Sequence, residues 1–271
     1  MNSSATHQEA FNALTAPTES RAWRWAASAA IVGNIALNYV SQRYPFNGQT
    51  NAQVSAKYPT VLTPAGYAFS IWGLIFLSLL FYAVWQLLPA QRRNPLPDAV
   101  ARPLVFANLL TGLWLVVFAY ELLVPSSVVM LLILASLAVV YGRARHFVGR
   151  QEAPWYSSVP FGLYLGWISV ATVVNTTLTL GTQWQPGPEE SIEIAIIMVG
   201  ITAGLALNVT RRFRELAYPA AVAWGLAGIW AARRFEADTE VLAWMALAAA
   251  GLVAIAGLGL AWWGRGKEVM R

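Results

Sequence analysis

The sequence predicts an all-α membrane protein, a polytopic bundle of about eight transmembrane helices. Hydrophobic residues make up 57% of the 271-residue chain and charged residues 11%, whereas a soluble domain typically carries about 25% charged residues. Several apolar runs reach the length of about 18 residues that is needed to cross a hydrocarbon core of about 30 Å. The mean hydropathy of +0.50 agrees with this class, because the chain has too little polar surface to face water on all sides.

Apolar windows between charged residues and Pro/Gly punctuation define the helices in order. They span 23–41, 65–88, 103–122, 125–143, 157–180, 192–210, 217–234 and 240–263. Residues 1–22 are polar and lack the basic and apolar regions of a signal peptide, so we interpret them as a polar tail. The first five helices, within 23–182, are rich in aromatic residues, and the last three, within 183–271, are richer in alanine and glycine.

The distribution of basic residues predicts the orientation of the helices. Of the 18 lysines and arginines, 14 lie on the side of the two termini when the chain crosses eight times. By the positive-inside rule, we expect a multi-pass protein of the cell membrane with both termini in the cytoplasm. The net charge of +5 does not indicate nucleic-acid binding, because the basic residues form short clusters between apolar runs and there is no soluble basic domain.

The polar residues argue against several kinds of chemistry. The chain has no cysteine, which excludes a disulfide or a thiolate metal site. Glu121 is expected near a helix end, which disfavours a transporter that moves protons on carboxylates within the membrane. Lys57 and Lys267 lie outside the predicted helices, as do His7 and His146, so a mid-membrane Schiff base or haem ligation is disfavoured. We therefore expect no catalytic residue, no metal site and no required cofactor.

Two further patterns concern the link between the first helices and the packing of later ones. The segment 42–64 is long and rich in Asn, Gln, Tyr and Pro, and it is suited to a lid or a re-entrant segment at one end of the bundle. The pairs Gly162/Gly166 and Gly200/Gly204 have the small-xxx-small spacing that allows two helices to approach closely. Both pairs are therefore predicted helix contacts.

Tryptophan occurs in two kinds of position along the helices. Seven tryptophans lie near predicted helix ends, where the aromatic belt of a membrane protein is found: Trp23, Trp25, Trp85, Trp155, Trp184, Trp262 and Trp263. Trp72, Trp114 and Trp167 are expected deeper in the membrane, where anchoring at the interface explains them poorly. Each of these three belongs to a stripe on one helix face: Phe69, Trp72 and Phe76; Thr111, Trp114 and Phe118; Tyr164, Trp167, Ala171 and Asn175. The spacing alone fits either helix packing or a shared pocket.

The same three stretches resemble the TspO/MBR family, which comprises the translocator proteins and the tryptophan-rich sensory proteins. The stretch "TPAGYAFSIWGLIF" at 63–76 resembles the second-helix signature of the family, and "GLWLVVFAY" at 112–120 resembles its third helix. The stretch "LYLGWISVATVVNTTL" at 163–178 resembles the fifth helix and is the most specific of the three matches. The resemblance covers roughly residues 23–182 and implies a five-helix bundle that encloses a pocket, covered by the link between helices one and two.

The resemblance also implies a ligand, since members of the family bind porphyrins and other hydrophobic molecules such as sterols. The candidate ligand-binding residues are Tyr67, Phe69, Trp72, Phe76, Thr111, Trp114, Phe118, Tyr164, Trp167, Ala171, Asn175, Asn34 and Asn38. For the last two, the spacing of one helical turn serves helix pairing equally well.

We expect a binding protein, namely a tryptophan-rich sensor or carrier whose partners are membrane lipid and a small hydrophobic ligand. A bound porphyrin or other tetrapyrrole would be this ligand and not a required cofactor. The alternatives are a transporter of a neutral hydrophobic substrate, an enzyme that degrades bound porphyrin, and a purely structural protein. The oligomeric state stays open between a monomer and a homodimer.

A cysteine-labelling experiment tests the predicted orientation. Because the chain has no cysteine of its own, a cysteine introduced at Ser126 or Thr182 should react with a membrane-impermeant thiol reagent in intact cells. A cysteine at Ser3 should react only after lysis, since the positive-inside rule places it in the cytoplasm. Labelling of Ser3→Cys in intact cells would overturn the orientation.

Overall fold

The computed structural model describes the backbone of residues 17–268 and the side chains of residues 21–262. Most of the predicted tail 1–22, with Ser3 and His7, lies outside the described residues. The described part is almost entirely helical, and its α-helices are α1 Pro17–Arg43, α2 Asn51–Lys57, α3 Ile71–Trp85, α4 Pro95–Ala119, α5 Leu123–Gly149, α6 Val159–Trp184, α7 Pro188–Phe213, α8 Ala217–Arg233 and α9 Glu240–Glu268. The predicted all-α polytopic bundle is confirmed.

Each predicted helix is present, and the largest difference in a boundary is at the start of α4. The sequence predicts a start at Pro103, but the helix begins at Pro95. Asn94 caps it by accepting a hydrogen bond from the backbone N–H two residues later, and proline is well suited to the first helical position. Pro103 lies inside the helix and cannot bond to the carbonyl of Ala99. Arg143 of α5 donates to that carbonyl at 2.7 Å and so replaces the backbone N–H that Pro103 lacks.

Six helical segments of the described chain are long and apolar enough to span a membrane, judged by length and composition. They are Gly66–Trp85, Pro95–Ala119, Leu123–Gly149, Trp155–Trp184, Pro188–Phe213 and Ala237–Trp262. Helix α1 is long enough but is the least apolar of the long helices, and α8 has 17 residues, which is about 25 Å of helix. The chain is a membrane protein with multiple apolar helices, and the number of eight crossings stays a prediction.

Five helices form a closed ring in which each helix packs against two neighbours. The order around the ring is α1, α3, α6, α5, α4 and back to α1. Helices α4 and α6 are therefore not neighbours, so side chains that join them have to meet in the interior of the ring. This order matters for the candidate site, because most of its residues lie on α3, α4 and α6.

A buried arginine ties one end of the ring together. Arg24 of α1 is 5% exposed, and its guanidinium donates to both carboxylate oxygens of Asp98 at 2.6 Å. Its other N–H groups donate to the backbone carbonyls of Gln86, Gln91 and Asn94 between α3 and α4. All five guanidinium donors are thus used, as burial of this charge requires. The contact joins α1, α3 and α4 at this end.

The last three helices pack on the outside of the ring through α8, which lies along α6. A Cβ on Gly166 of α6 would lie 2.5 Å from the carbonyl oxygen of Tyr218, and a Cβ on Gly225 of α8 would lie 2.9 Å from Val170. Helix α9 packs against α8, and α7 packs against α9. The predicted close contact at Gly162 and Gly166 is confirmed.

The second predicted glycine contact is wrong. Among the described residues, nothing lies within 4 Å of a Cβ placed on Gly200 or Gly204 of α7. Both residues are exposed, and α7 turns a different face, which includes Val199 and Ala203, toward its neighbours. Small residues at the right spacing allow a close contact but do not decide which face of the helix makes it.

Most of the predicted aromatic belt is exposed, as a belt requires. Four of the seven predicted belt residues expose more than half of their surface: Trp25, Trp155, Trp184 and Trp262. Trp85 is wrongly predicted, because it is 5% exposed and packs edge-on against Tyr156. Trp23 is half-buried beneath the guanidinium of Arg102, and the side chain of Trp263 lies outside the described residues.

A matched pair of Gly→Ala substitutions tests the contact between α6 and α8. Gly166→Ala places a methyl group against the backbone of Tyr218, and overpacking of this kind costs about 1–3 kcal/mol. Gly204→Ala meets open space, so the protein should keep its stability or gain up to about 1 kcal/mol from the better helix former. Thermal unfolding in mild detergent measures both effects. Equal melting temperatures for the two variants would contradict the close contact.

Candidate functional site

Two hydrogen bonds between α4 and α6 cross the interior of the ring. The hydroxyl oxygens of Thr111 and Tyr164 lie 2.5 Å apart, and Trp114 Nε1 donates to Asn175 Oδ1 at 3.2 Å. Thr111 donates its own proton to the carbonyl of Ala107, so the tyrosine is the donor between the two hydroxyls. The structure thereby brings together four candidate residues from two separate helix stripes.

Aromatic rings from α3 and α4 contribute to the same group. Trp72 lies edge-on to Tyr164 with ring centroids 5.7 Å apart, and it is tilted against Phe76 at 5.1 Å. Trp114 is stacked on Phe118 at 4.8 Å. These are favourable geometries for aromatic pairs. Trp72, Phe76 and Trp114 are only half-buried, so part of each ring is accessible for a further contact.

Asparagines join α1 to α4 beside this group. Asn34 Nδ2 donates to Asn108 Oδ1 at 3.0 Å, and Asn38 Nδ2 donates to Asn34 Oδ1 at 2.9 Å. Asn34 is therefore engaged in helix pairing, whereas the amide of Asn38 donates within α1 and supports the side chain of Asn34. Asn108 is missing from the sequence-based candidates, although it precedes Thr111 by one helical turn on the same face, and this spacing could have indicated it.

Asn175 is oriented by α5. Its Nδ2 donates to Ser127 Oγ at 2.8 Å and to Ser126 Oγ at 3.2 Å, which leaves Oδ1 to accept from Trp114. Ala171, one turn earlier on α6, is half-buried against the apolar core.

The burial of Ser126 also bears on the cysteine-labelling experiment. Because Ser126 is fully buried, a thiol reagent cannot reach it readily, and Thr182 is the better of the two labelling positions.

The remaining three aromatic candidates lie near the junction of the ring with α8. Tyr67 is edge-on to Trp224 of α8 with ring centroids 5.4 Å apart, and Trp224 Nε1 donates to the carbonyl of Ala68. Phe69 is edge-on to Trp167 at 5.6 Å. Trp167 is 2% exposed, whereas Tyr67 and Phe69 are 49% and 43% exposed. The structure thus places Tyr67 against α8, while Phe69 and Trp167 form a pair beside the interior group.

The predicted lid segment 42–64 lies over one end of the ring. Its first two residues belong to α1, and we call the remaining residues, 44–64, the lid. Its helix α2 begins with a capping box between Thr50 and Gln53, which satisfies backbone donors at the start of the helix. Val54 of α2 is fully buried and packs with Phe118 and Leu178 of the ring. Val54 of the lid is therefore inserted into the end of the ring, next to the stacked rings of Trp114 and Phe118.

Glu121 fastens the lid to the end of α4. Its carboxylate accepts hydrogen bonds from Lys57 Nζ at 2.5 Å, Tyr58 Oη at 2.6 Å and Gln49 Nε2 at 2.7 Å. These donors, the lysine first, lower the pKa of Glu121 from 4.5 to about 2, and the same contact raises the pKa of Tyr58. The sequence carries no local signal for this contact, because the partners precede Glu121 by 63 to 72 residues.

A second anchor connects the far end of the lid to α8. Arg233 Nη2 donates to the carbonyl of Thr60 at 2.9 Å, and its Nε donates to that of Val61 at 3.2 Å. Just beyond, the backbone N–H of Ala65 donates to the carbonyl of Gly228 at 2.9 Å. Helix α8 therefore positions both the lid and the start of α3, which is a role that the resemblance to a five-helix bundle does not predict.

Comparison with known proteins is consistent with this architecture. A family model described as TSPO-like protein matches residues 24–259, which includes the ring, the lid and most of the last three helices. Neither the curated proteins nor the solved structures contain a match to the chain. Since the family model covers well over half of the sequence, the chain belongs to the family of TSPO-like proteins.

Proposed function

We propose that this protein is a membrane sensor or translocator that binds a flat hydrophobic ligand, such as a porphyrin or a sterol-like lipid, inside the helix ring. The observation that supports this most is the convergence of Trp72, Trp114 and Tyr164, from three different helices, on the interior. Aromatic faces arranged in this way can stack on a planar ligand. Pockets for such ligands are mostly apolar, with a few polar groups that fix the orientation.

The polar groups of the interior suit a ligand with an apolar centre. Thr111, Trp114, Tyr164 and Asn175 are neutral, and each has a hydrogen-bond partner inside the ring. A planar ligand that contacts the aromatic faces can leave these bonds in place. A charge at the centre of the ligand would lose its hydration without a counter-charge, which is costly. The interior therefore favours a neutral ring system whose charged groups, if it has any, lie at its edge.

The packing of the last helices supports binding over the transport alternative in which these helices move as a unit. Gly166 and Gly225 allow close backbone contact between α6 and α8, and α8 also binds the lid. Ligand flux across sealed vesicles would nevertheless support transport, and recovery of a chemically altered ligand would support degradation. Binding alone predicts neither.

Two measurements test the proposal as a whole. Mass spectrometry of the protein purified in mild detergent identifies the hydrophobic molecules that co-purify with it. Titration with protoporphyrin, a planar porphyrin, should quench tryptophan fluorescence saturably, with a dissociation constant on the order of micromolar, or about −8 kcal/mol. Quenching that rises linearly and does not saturate would contradict a specific site.

Trp72→Leu should weaken protoporphyrin binding roughly tenfold, because an aromatic contact contributes about 0.5–1.5 kcal/mol beyond its buried area. Leucine keeps the position apolar and compatible with the membrane. Trp184→Leu is the matched control, because Trp184 is 64% exposed at the end of α6. This variant should bind protoporphyrin with the affinity of the wild type. The measurement is the dissociation constant from the quenching titration. Early unfolding of Trp72→Leu combined with wild-type affinity would show that this stripe serves helix packing instead.

Protonation of Glu121 should loosen the lid and accelerate ligand release. A carboxyl group whose pKa is lowered in the folded state contributes stability above its unfolded pKa and loses this contribution as the pH falls toward the folded value. For Glu121 this window runs from 4.5 down to about 2. Protoporphyrin should therefore leave faster as the pH falls through this range, whereas Glu121→Gln should release it fast already at pH 7. Stopped-flow recovery of tryptophan fluorescence measures the release rate.

The control for the lid experiment is Glu189→Gln, which makes the same substitution at an exposed residue in the first turn of α7. It should keep both the wild-type release rate and its pH dependence. The same porphyrin with the same carboxylates is used with all three proteins, so a difference between the two variants reports on Glu121. Wild-type release from Glu121→Gln at pH 7 would disprove the role of this contact in holding the lid.

A further inference from the structure

A cleft of about 450 Å³ lies between the last turns of α5 and α7, at the end of the bundle opposite the lid. Contacts between the two helices fix its walls. Tyr141 packs edge-on against Phe213 with ring centroids 5.0 Å apart, and Arg145 Nη2 donates to the carbonyl of Phe213 at 2.7 Å. Arg145 Nη1 donates to Ser158 Oγ at 3.2 Å, which connects the same wall to the turn before α6. The shape of the cleft is therefore set by contacts between helices.

Glycines leave one side of the cleft without side chains. Gly142 and Gly149 of α5 both line it, and nothing lies within 4 Å of a Cβ placed on either residue. These residues lie two helical turns apart, on the side of α5 that faces the cleft. A larger residue at either position would extend into this space.

The lining is positively charged. Arg145, Arg150 and Arg212 line the cleft together with His146, and none of the lining residues is acidic. Helix α5 extends to residue 149, so His146 lies in its last turn and not in the predicted loop. The carboxylate of Glu152 pairs with Arg150 Nε at 2.7 Å, but both side chains are exposed, and an exposed ion pair of this kind is weak.

The carboxylate closest in sequence to Phe213 is occupied elsewhere. Glu215 accepts a hydrogen bond from Tyr141 Oη at 2.7 Å, and it also accepts from the backbone N–H groups of Ala217 and Tyr218 at 2.8 Å. It caps the start of α8 and is not among the residues that line the cleft. The positive charge of the cleft is therefore not neutralised by this residue.

We propose that this cleft binds the phosphate group of an anionic phospholipid. Guanidinium groups match phosphate oxygens with two parallel hydrogen bonds, which makes arginine well suited to phosphate recognition. Arg212 and Arg150 are exposed and provide donors for the phosphate, while Arg145 adds charge and braces the wall. Basic pockets between transmembrane helices are known binding sites for anionic lipid head groups. The proposal is independent of the ligand in the ring.

The position of the cleft favours a lipid over a soluble phosphate ester. Trp155 and Tyr156, at the same end of the bundle, expose 66% and 38% of their surface, as is typical of side chains at a membrane interface. Phe213 provides an apolar wall of the cleft. Below it, α5 and α7 expose apolar side chains such as Val139 and Leu205, along which the acyl chains of a lipid can lie.

Native mass spectrometry of the full-length protein, titrated in detergent with phosphatidylglycerol, tests the proposal. Arg212→Gln should retain this lipid about fivefold less well, since one arginine near an anionic surface contributes about 1 kcal/mol. Glu152→Gln should retain it more tightly, because the substitution releases Arg150 from its ion pair. Arg93→Gln is the matched control, because it removes the same charge at an exposed position between α3 and α4. It should bind the lipid as the wild type does.

Two further titrations identify the source of the phosphate. Phosphatidylcholine, which has the same phosphate but no net charge, should bind the wild type more weakly than phosphatidylglycerol, and this difference should shrink in Arg212→Gln. Glycerol 3-phosphate at millimolar concentration should not displace the bound lipid. Displacement would assign the cleft to a soluble phosphate ester and refute the lipid.

The comparison of the two arginine variants tests the cleft itself. Equal losses of lipid in Arg93→Gln and Arg212→Gln would refute the cleft as a site, because only a general attraction to a basic surface would then be present. All three altered side chains are exposed, so each variant should keep the wild-type melting temperature.

Discussion

The arrangement of the bundle depends on how closely α8 approaches α6. Gly162 and Gly166 on one helix and Gly225 on the other leave room that a methyl group would fill. In a membrane there is little hydrophobic driving force between helices, so van der Waals contact at this distance is what holds them together. Helix α8 also donates to the lid and accepts from the backbone just before α3. The contact between α6 and α8 therefore fixes the positions of α6, the lid and the start of α3 relative to one another. Helix α6 is consequently the most buried of the candidate spans, and its Tyr164 and Asn175 are held toward the ring interior.

Local sequence pattern is sufficient to predict the long helices and much of the interior group. Trp72, Thr111 and Tyr164 each belong to a stripe with helical spacing, and a stripe on one face of a helix is a property of that helix alone. The partners of Glu121 are different, because they come from a lid that precedes it by 63 to 72 residues. Such a contact depends on which helices are neighbours, and neighbours are not encoded in the periodicity of either helix.

The errors at Trp85 and at Gly204 have a common physical cause. Lipid tails are as apolar as leucine, so the sequence of a membrane helix does not distinguish its lipid-facing side from its protein-facing side as clearly as a soluble helix does. Trp85 lies near a helix end, which is typical of an interfacial tryptophan, but it faces Tyr156 and the core. Gly204 has the spacing of a packing motif but faces away from the neighbours of its helix. Assigning these faces requires the arrangement of the whole bundle.

The two ends of the ring are closed by ion pairs of different strength. Arg24 is 5% exposed with all of its donors used. Although Asp98 exposes 36% of its own side chain, removing it would leave the buried guanidinium without its counter-charge, which is costly. Lys57, in contrast, exposes 53% of its side chain in the pair with Glu121, and water can solvate both groups when they separate. Opening the lid end therefore costs less than opening the arginine end. If the proposed ligand binds inside the ring, we expect it to enter and leave beneath the lid, because Arg24 ties α1, α3 and α4 together at the opposite end.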